Sequence, residues 1–450
     1  MVQDSNSKDL TNVVESGLEQ ALSLGATEAS VICSSSKEKM VRFSNNSITA
    51  VKELDTIDLF FYLTKARRRI IGSTSDLDKN AINKFLQRLL NAAGSLKVDR
   101  DLAFLPKLMS STNEKSDYDK RLSDIGNEIG ELANSSIQAS MKSGAKRASG
   151  SLSTYDEYIT IRTSGGAKGL DRRTKVLLNI RAFADGDSSG HGLSCATKLS
   201  NFDPEKAGSQ AGSDAKRSTK PLRWEEGIYD IILSPTVAAD VVQLIGRASS
   251  AFAVDSGLSF LEGQVGERVA VDKLTLRDEG RTKGALDSRV FDDEGLPTQE
   301  NIIINEGILK TYLHNSTTAK RAKKTSTGNA GIIEPSPWNL IVDNGDYSVE
   351  EMIRGVKKGM LITNNWYTRF QNYRSGEYST IPRDATFLIE SGKIKYPITG
   401  VRISDALPRQ LSNITGIGKE RTWTEWWEVS TPVLAPYLLI EGARATKANA

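Results

Sequence analysis

Histidine and cysteine are almost missing from this chain. Its 450 residues include two histidines, His191 and His314, and two cysteines, Cys33 and Cys195. A catalytic zinc takes about three protein ligands from His, Cys, Asp or Glu and keeps one position open. Neither H-E-x-x-H nor H-E-x-x-x-H occurs. His191 and Cys195 lie four residues apart, but DGDSSGHGLSC around them is too rich in Gly and Ser for a helix. Both histidines read as structural, His191 as an exposed loop residue. A metal site built from carboxylates alone stays open, because the chain has 56 acidic residues. The same shortage leaves no basis for a Ser/His/Asp or Cys/His arrangement. Ser164-Gly165-Gly166 is not a phosphate loop, since neither G-x-x-x-x-G-K-[ST] nor a strand followed by G-x-G-x-x-G is found.

An excess of one charge is lacking too. Lys and Arg number 59 against 56 Asp and Glu, a net +3. That gives no electrostatic footprint for nucleic acid or anionic lipid. The longest basic cluster, Lys320-Arg321-Ala322-Lys323-Lys324, reads as a solvated face. Two distant cysteines make no disulfide framework and point to a reducing cytoplasm. The opening MVQDSNSKDL has acids and no apolar core, so it does not read as a signal peptide. No run of about 18 apolar residues suggests a membrane span. With 38% hydrophobic residues and a mean hydropathy of −0.36, the chain reads as globular, with room for two or three domains.

Residues 9–24 place Leu10, Val13, Val14, Gly17, Leu18, Ala21 and Leu22 on one helical stripe, closed by Gly25. Strands follow over 28–34, 39–43, 48–54 and 58–64, with Asn45-Asn46 suited to a tight turn. A second helix over 77–93 takes Asp76 or Asp78 as its cap. The pattern recurs with a helix over 117–141, strands over 150–164 and 177–184, and a helix over 203–218. The stretch RFSNNSITAVKEL sits in its unit where IRTSGGAKGLDRR sits in the other. This reads as a duplicated helix–strands–helix module, with 99–116 as linker. From Trp224 the texture changes. A strand over 229–233 ends in Ser234-Pro235, a helix follows over 237–250, and short strands are expected over 269–272, 274–277, 301–305, 308–313, 339–342, 386–390 and 423–428. The fold class is therefore α+β. Modules over 1–98 and 117–220 precede a β-rich antiparallel sandwich or barrel-like domain over 224–450.

The most telling stretch is GEYSTIPRDATFLIESGKIKYPITGVRISDALPRQLSNITGIG, from Gly376 to Gly418. Phe387–Glu390, a Ser391-Gly392 turn and Lys393–Ile398 form a hairpin signal. Gly263-Gln264-Val265-Gly266, Asp292-Asp293-Glu294-Gly295-Leu296-Pro297-Thr298 and Thr327-Gly328-Asn329 precede it in order. This series of motifs resembles the TldD/PmbA family, which includes zinc-dependent peptidases, and within it the TldE (PmbA) branch. Where zinc-binding members carry H-E-x-x-x-H on the helix after Ser-Pro, the register puts Gln243, Leu244 and Ala248. No Cys follows Cys195 to supply the further ligand that the family carries near its C-terminus.

The resemblance implies a non-catalytic TldE-like subunit of a TldD/TldE-type metalloprotease, with no cofactor of its own. The zinc and the water-activating Glu would come from a TldD-like partner, in a homodimer or heterodimer. The chain would help bind unfolded peptide through an open strand edge. Nucleic acid and membrane are not expected partners. The rival readings are a self-assembling peptide- or protein-binding module with no peptidase role, and an enzyme with a carboxylate-based metal site. Ser379, Arg383, Asp384, Gln264, Trp423 and Trp427 are the candidate substrate or interface residues. Each also has a structural reading. Gly263 and Gly266 suit turns, Arg383-Asp384 a surface ion pair, Asp292-Asp293-Glu294 a solvated turn, and Trp423–Glu428 an ordinary strand with Trp423 and Trp427 on one face and Trp426 on the other. Pro382 suggests that its segment is an edge or a loop.

Overall fold

The computed structural model describes residues 2–108, 111–112, 117–186 and 188–448. Helix α1 (Val2–Ser23) leads into strands β1 (Glu28–Ser44), β2 (Ser47–Lys65) and β3 (Arg68–Thr74), then helix α2 (Lys79–Ala92). Asp78 caps α2 by accepting from the backbone N–H groups of Asn80 and Ala81. After the short β4 (Ser111–Thr112) the plan repeats: α3 (Lys120–Ser123) and α4 (Glu128–Lys142), β5 (Arg147–Thr163), β6 (Lys168–Phe183), β7 (Ser189–Ala196), and α5 (Pro204–Arg217). The two copies share one sheet, in the order β3-β2-β1-β5-β6-β4 with β7 on β6. Antiparallel pairing of β1 with β5 joins them, so the duplicated module forms one sheet of seven strands.

Several boundaries differ from the sequence reading. The first four strands are two long ones, because the polar stretch Ser34–Glu38 is held by ladders to both β2 and β5. The helix over 117–141 is broken into α3 and α4. Segment 99–108 is packed down: Leu102 and Leu105 are buried, and the Leu105 N–H donates to Glu28. Residues 109–110 and 113–116 of that linker lie outside the described residues.

The C-terminal part is mixed α and β: β8 (Gly227–Leu233), α6 (Pro235–Ala248), α7 (Ala251–Asp255), β9 (Leu276–Glu279), β10 (Glu300–Asn305), β11 (Ile308–Leu309), α8 (Ser316–Ala322), β12 (Leu340–Val342), α9 (Val349–Gly355), β13 (Lys358–Asn372), β14 (Glu377–Glu390), β15 (Lys393–Ile398), β16 (Val401–Ala406), α10 (Leu407–Ser412), β17 (Ile414–Thr424) and β18 (Val433–Lys447). Strands β8, β13, β14, β16 and β18 close on themselves through the β18–β8 pairing, which is the barrel-like element. Pairing is antiparallel except for β8·β13 and β12·β18. The expected hairpin is β14–β15, turning through Ser391 and Gly392 at positive φ. No strand forms over 269–272, and the strand expected over 308–313 is only β11. The strand expected over 423–428 stops at Thr424.

Helix α6 is apolar on nearly all sides and sits inside the C-terminal core beside β18 and β13. The N-terminal sheet buries one face under its helices. Its other face, through Ile32, Ile159 and Ile161, packs on Val290 and Phe291 of the C-terminal part. No described helix is long and apolar enough to cross a membrane.

Candidate functional site

The site begins at α6. Ser234 caps it, Pro235 occupies its first turn, and the Ser234 hydroxyl donates to the Thr363 carbonyl at 2.8 Å, tying the helix to β13. Gln243, Leu244 and Ala248 are all buried. Leu244 and Ala248 are core residues. Gln243 Nε2 donates to Asp240 Oδ1 at 2.7 Å and to the Glu428 carbonyl at 2.5 Å. An amide and two aliphatic side chains supply no ligand set that fits zinc. Among the described residues no three His, Cys, Asp or Glu side chains converge to hold a metal ion.

Asp240 and Glu428 are two buried carboxyls behind a distorted strand pair. Burial pushes the Asp240 carboxyl up to about 7, and Glu428 pushes the same way against hydrogen bonds from Thr368, Gln243 and Asn365. Glu428 accepts from Arg369 at 2.6 Å and from the Tyr367 backbone N–H. Asn365 Nδ2 lies 2.8 Å from Asp240, Thr368 and Thr380. The β13–β14 ladder loses register on both sides of Asn364–Trp366. Tyr367 (φ 59°) and Asp384 (φ 56°) adopt left-handed backbone within those irregularities. Such conformations cost free energy in non-glycine residues and persist where the surroundings enforce them.

Between the two lies Trp366. Arg181 and Arg383 lie 4.9 and 5.2 Å from its ring. Trp427 meets it edge-on at 5.7 Å, with Tyr367 6.1 Å from Trp427. Trp426 continues the cluster inward to His191, 4.7 Å away. Trp427 is 53% exposed and Tyr367 51%, so the cluster opens to solvent. Among the described residues several buried polar atoms here have no hydrogen-bond partner: Asn364 Oδ1, Asn365 Oδ1, Trp366 Nε1, Trp426 Nε1 and Glu425 Oε2. Beyond the stretch that pairs with β8, residues 363–372 of β13 have no strand on that side among the described residues.

Three of the residues singled out from sequence meet here. Arg383 and Trp427 both contact Trp366, but Arg383-Asp384 is not a surface pair. The Asp384 side chain is fully buried and accepts from Arg181 at 2.6 Å, from Ser189 and from Asn364. The nearby Arg181 guanidinium holds the Asp384 carboxyl below its ordinary value despite burial. Pro382 is interior to β14 but, as expected, at a local edge, paired with β13 alone. It stands where β16 has stopped pairing and β15 has not begun, so its missing N–H breaks no ladder on that side. Ser379 is buried in the ladder between Arg369 and Ser404. Gln264 lies apart in its own turn, donating to the Phe260 carbonyl, and Trp423 is on β17 opposite Leu434.

Other expectations fail for physical reasons. His191 is not an exposed loop residue; it is buried in β7, which sheet pairing stabilises despite its glycines. Burial pulls its pKa down to about 4, and Nε2 lies 3.0 Å from Asn179 Oδ1. The turn at Asp292–Glu294 is not solvated. Asp292 is fully buried and accepts from the N–H groups of Glu294, Leu296 and Ala330, which builds the turn. The strand expected over Trp423–Glu428 ends at Thr424, yet the expected alternation holds: Thr424, Trp426 and Glu428 are buried and Trp427 is out. Sequence reasoning missed Trp366, Tyr367, Asp240 and Glu428. The sole signal was the polar pair Asn364-Asn365 interrupting an apolar strand just before Trp-Tyr.

Models of the PmbA/TldA metallopeptidase central domain and C-terminal domain match residues 99–219 and 226–447. A metalloprotease of Methanocaldococcus jannaschii is 29% identical over 223 residues, 47% of this chain and 48% of that one. The chain thus aligns with about half the length of that relative. A metalloprotease PmbA homolog of Haemophilus influenzae is 23% identical over 92% of this chain and 94% of its own. Among solved structures, a putative modulator of DNA gyrase from Bacteroides thetaiotaomicron shares the fold with TM-score 0.84 at 21% identity, covering 99% of this chain and 100% of that one. TldE from Thermococcus kodakarensis does so with TM-score 0.83 at 18% identity, covering 97% and 100%.

Proposed function

Since the chain belongs to the PmbA/TldA metallopeptidase family, we propose that it serves there as a TldE-like subunit that holds peptide and cleaves none alone. The observation that carries this reading is the filling of α6. Where metal donors would be needed, Leu244 and Ala248 are spent on core packing and Gln243 on bridging Asp240 to Glu428. Zinc chemistry, polarising a carbonyl and generating a nucleophile from water, would come from a zinc-bearing partner subunit.

The peptide-holding part rests on the exposed end of β13 over 369–372, past Tyr367 and Trp427, since Ser234 and Glu428 already occupy the edge at Thr363 and Tyr367. An extended, unfolded segment can add there as a strand, its backbone giving affinity and its side chains meeting the aromatic cluster. Left-handed backbone and unpartnered buried polar atoms at the same place are consistent with a surface completed by a ligand.

The test is co-expression with a zinc-bearing relative, followed by purification and peptidase assay. The expected result is a complex, a dimer at minimum, that cleaves unfolded peptide while this chain alone does not. Peptide binding with no association with any such relative would favour the self-assembling binding module. Cleavage by the isolated chain would refute the proposal.

A further inference from the structure

We infer that the peptide favoured at this edge carries a carboxylate beside a large aromatic or apolar side chain, and that Arg383 receives the carboxylate. This rests on the peptide-holding reading above and adds a substrate class to it.

Negative charge at the bulged strands faces inward and positive charge outward. Besides Glu425, which Lys175 holds at 2.6 Å, three carboxyls surround the bulged strands, and all turn inward. The side chains of Asp384 and Glu428 are fully buried, and Asp240 is buried with them. Each is engaged: Asp384 by Arg181, Ser189 and Asn364, Glu428 by Arg369 and the Tyr367 N–H, and Asp240 by Gln243 and Asn365.

The outward side is cationic. Arg383 is exposed and lies against the Trp366 ring, and among the described residues it has no carboxylate within ion-pair distance. Arg181, Arg369 and Arg374 each have one. Arg247 also lacks an acid; it is held by Ser430, three residues past Trp427, at 2.9 Å. A guanidinium resting on an indole keeps its in-plane N–H donors free, and that planar fork matches a carboxylate. Trp427 and Tyr367, half exposed, offer flat apolar surface to the neighbouring side chain.

The carboxylate can be an Asp or Glu side chain or a free C-terminus, so the probes separate them. Fluorescent peptides built from Ser and Thr around one Phe would carry Glu, Gln or Lys next to it, all C-terminally amidated. A fourth would end in a free carboxylate directly after Phe. Binding by anisotropy should favour the Glu peptide over the Gln peptide by about tenfold, the scale of one charge-assisted hydrogen-bonded pair. The Lys peptide should bind most weakly, and added salt should shrink the spread. Tighter binding of the free-carboxylate peptide would assign the chemistry to a chain end. Arg383→Gln, shown folded by its melting transition, should bring the Glu-to-Gln ratio to about one, and Arg383→Lys should restore part of it. Equal wild-type binding of the Glu, Gln and free-carboxylate peptides, or a carboxylate preference, side-chain or terminal, unchanged in Arg383→Gln, overturns the inference and leaves the peptide edge standing. Failure of the wild type to bind any of the four overturns both.

Discussion

Two buried clusters in the C-terminal part are built from the same residue types and end differently. Around Asp278, the carboxylate accepts from the Trp338 and Asn339 N–H groups and from Asn329 Nδ2. Asn301 closes onto Asn329, and the Trp338 indole donates to the Gly328 carbonyl at 2.9 Å. Around Asp240, Asn365 and Gln243 donate similarly, yet Asn364 Oδ1, Asn365 Oδ1 and the indoles of Trp366 and Trp426 find no partner among the described residues. Burial pushes both acids up to about 7, so a shifted carboxyl alone does not mark a site. What separates the clusters is satisfaction. The first closes a turn completely, as a structural network must. The second is incomplete and lies next to exposed aromatics.

The largest expected contrast is between two truncations. Asp278→Ala strands two backbone N–H groups and an amide in a buried place and should cost about 4 kcal/mol or more. Asp240→Ala leaves Gln243 bonded to the Glu428 carbonyl and Asn365 to Thr368 and Thr380, so it should cost about 1 kcal/mol or less. Denaturant unfolding at pH 7 measures both, and equal costs would dissolve the comparison.

A pH series sharpens it. A carboxyl raised in the folded state keeps its proton to higher pH than in the unfolded chain. Its contribution to stability is therefore lost as pH rises from its ordinary range near 4 toward 7. Asp240→Asn removes that loss. Its stability relative to wild type should improve by on the order of 3 kcal/mol between pH 4 and pH 7, Asp278 contributing alike to both proteins. A gap that does not change with pH would mean that Asp240 is ionised throughout.

Smaller effects should follow the indoles. Trp338→Phe leaves the Gly328 carbonyl without its donor and should cost about 1–2 kcal/mol. Trp366→Phe removes an N–H with no partner, so the hydrogen-bond part of its cost should be near zero. The smallest stability effect belongs to the exposed Trp427. Trp427→Ala should shift unfolding by about 1 kcal/mol at most, while weakening peptide binding about tenfold. Unchanged binding would remove Trp427 from the site.

The sequence was most legible where local chemistry decides structure. The Asp78 cap, the Ser234-Pro235 start of α6 and the Ser391-Gly392 turn all follow from neighbours within a few residues. The filling of α6 by Gln243, Leu244 and Ala248 was likewise readable by register. The site was readable only in part, because its contacts run between distant segments. Asp384 pairs not with adjacent Arg383 but with Arg181, 203 residues away. Glu428 looks like the end of a strand until Arg369 and Tyr367 are seen against it. Alternation puts Trp426 and Trp427 on opposite faces but cannot show that Trp426 meets His191, which comes from distant β7.

Native mass spectrometry of the isolated chain mixed with an unfolded aromatic peptide tests at once whether the chain holds peptide and whether it does so without a metal of its own. The prediction is a species with the mass of chain plus intact peptide, without zinc, and depleted in Trp427→Ala. A chain that carries about one zinc and releases cut peptide would contradict it.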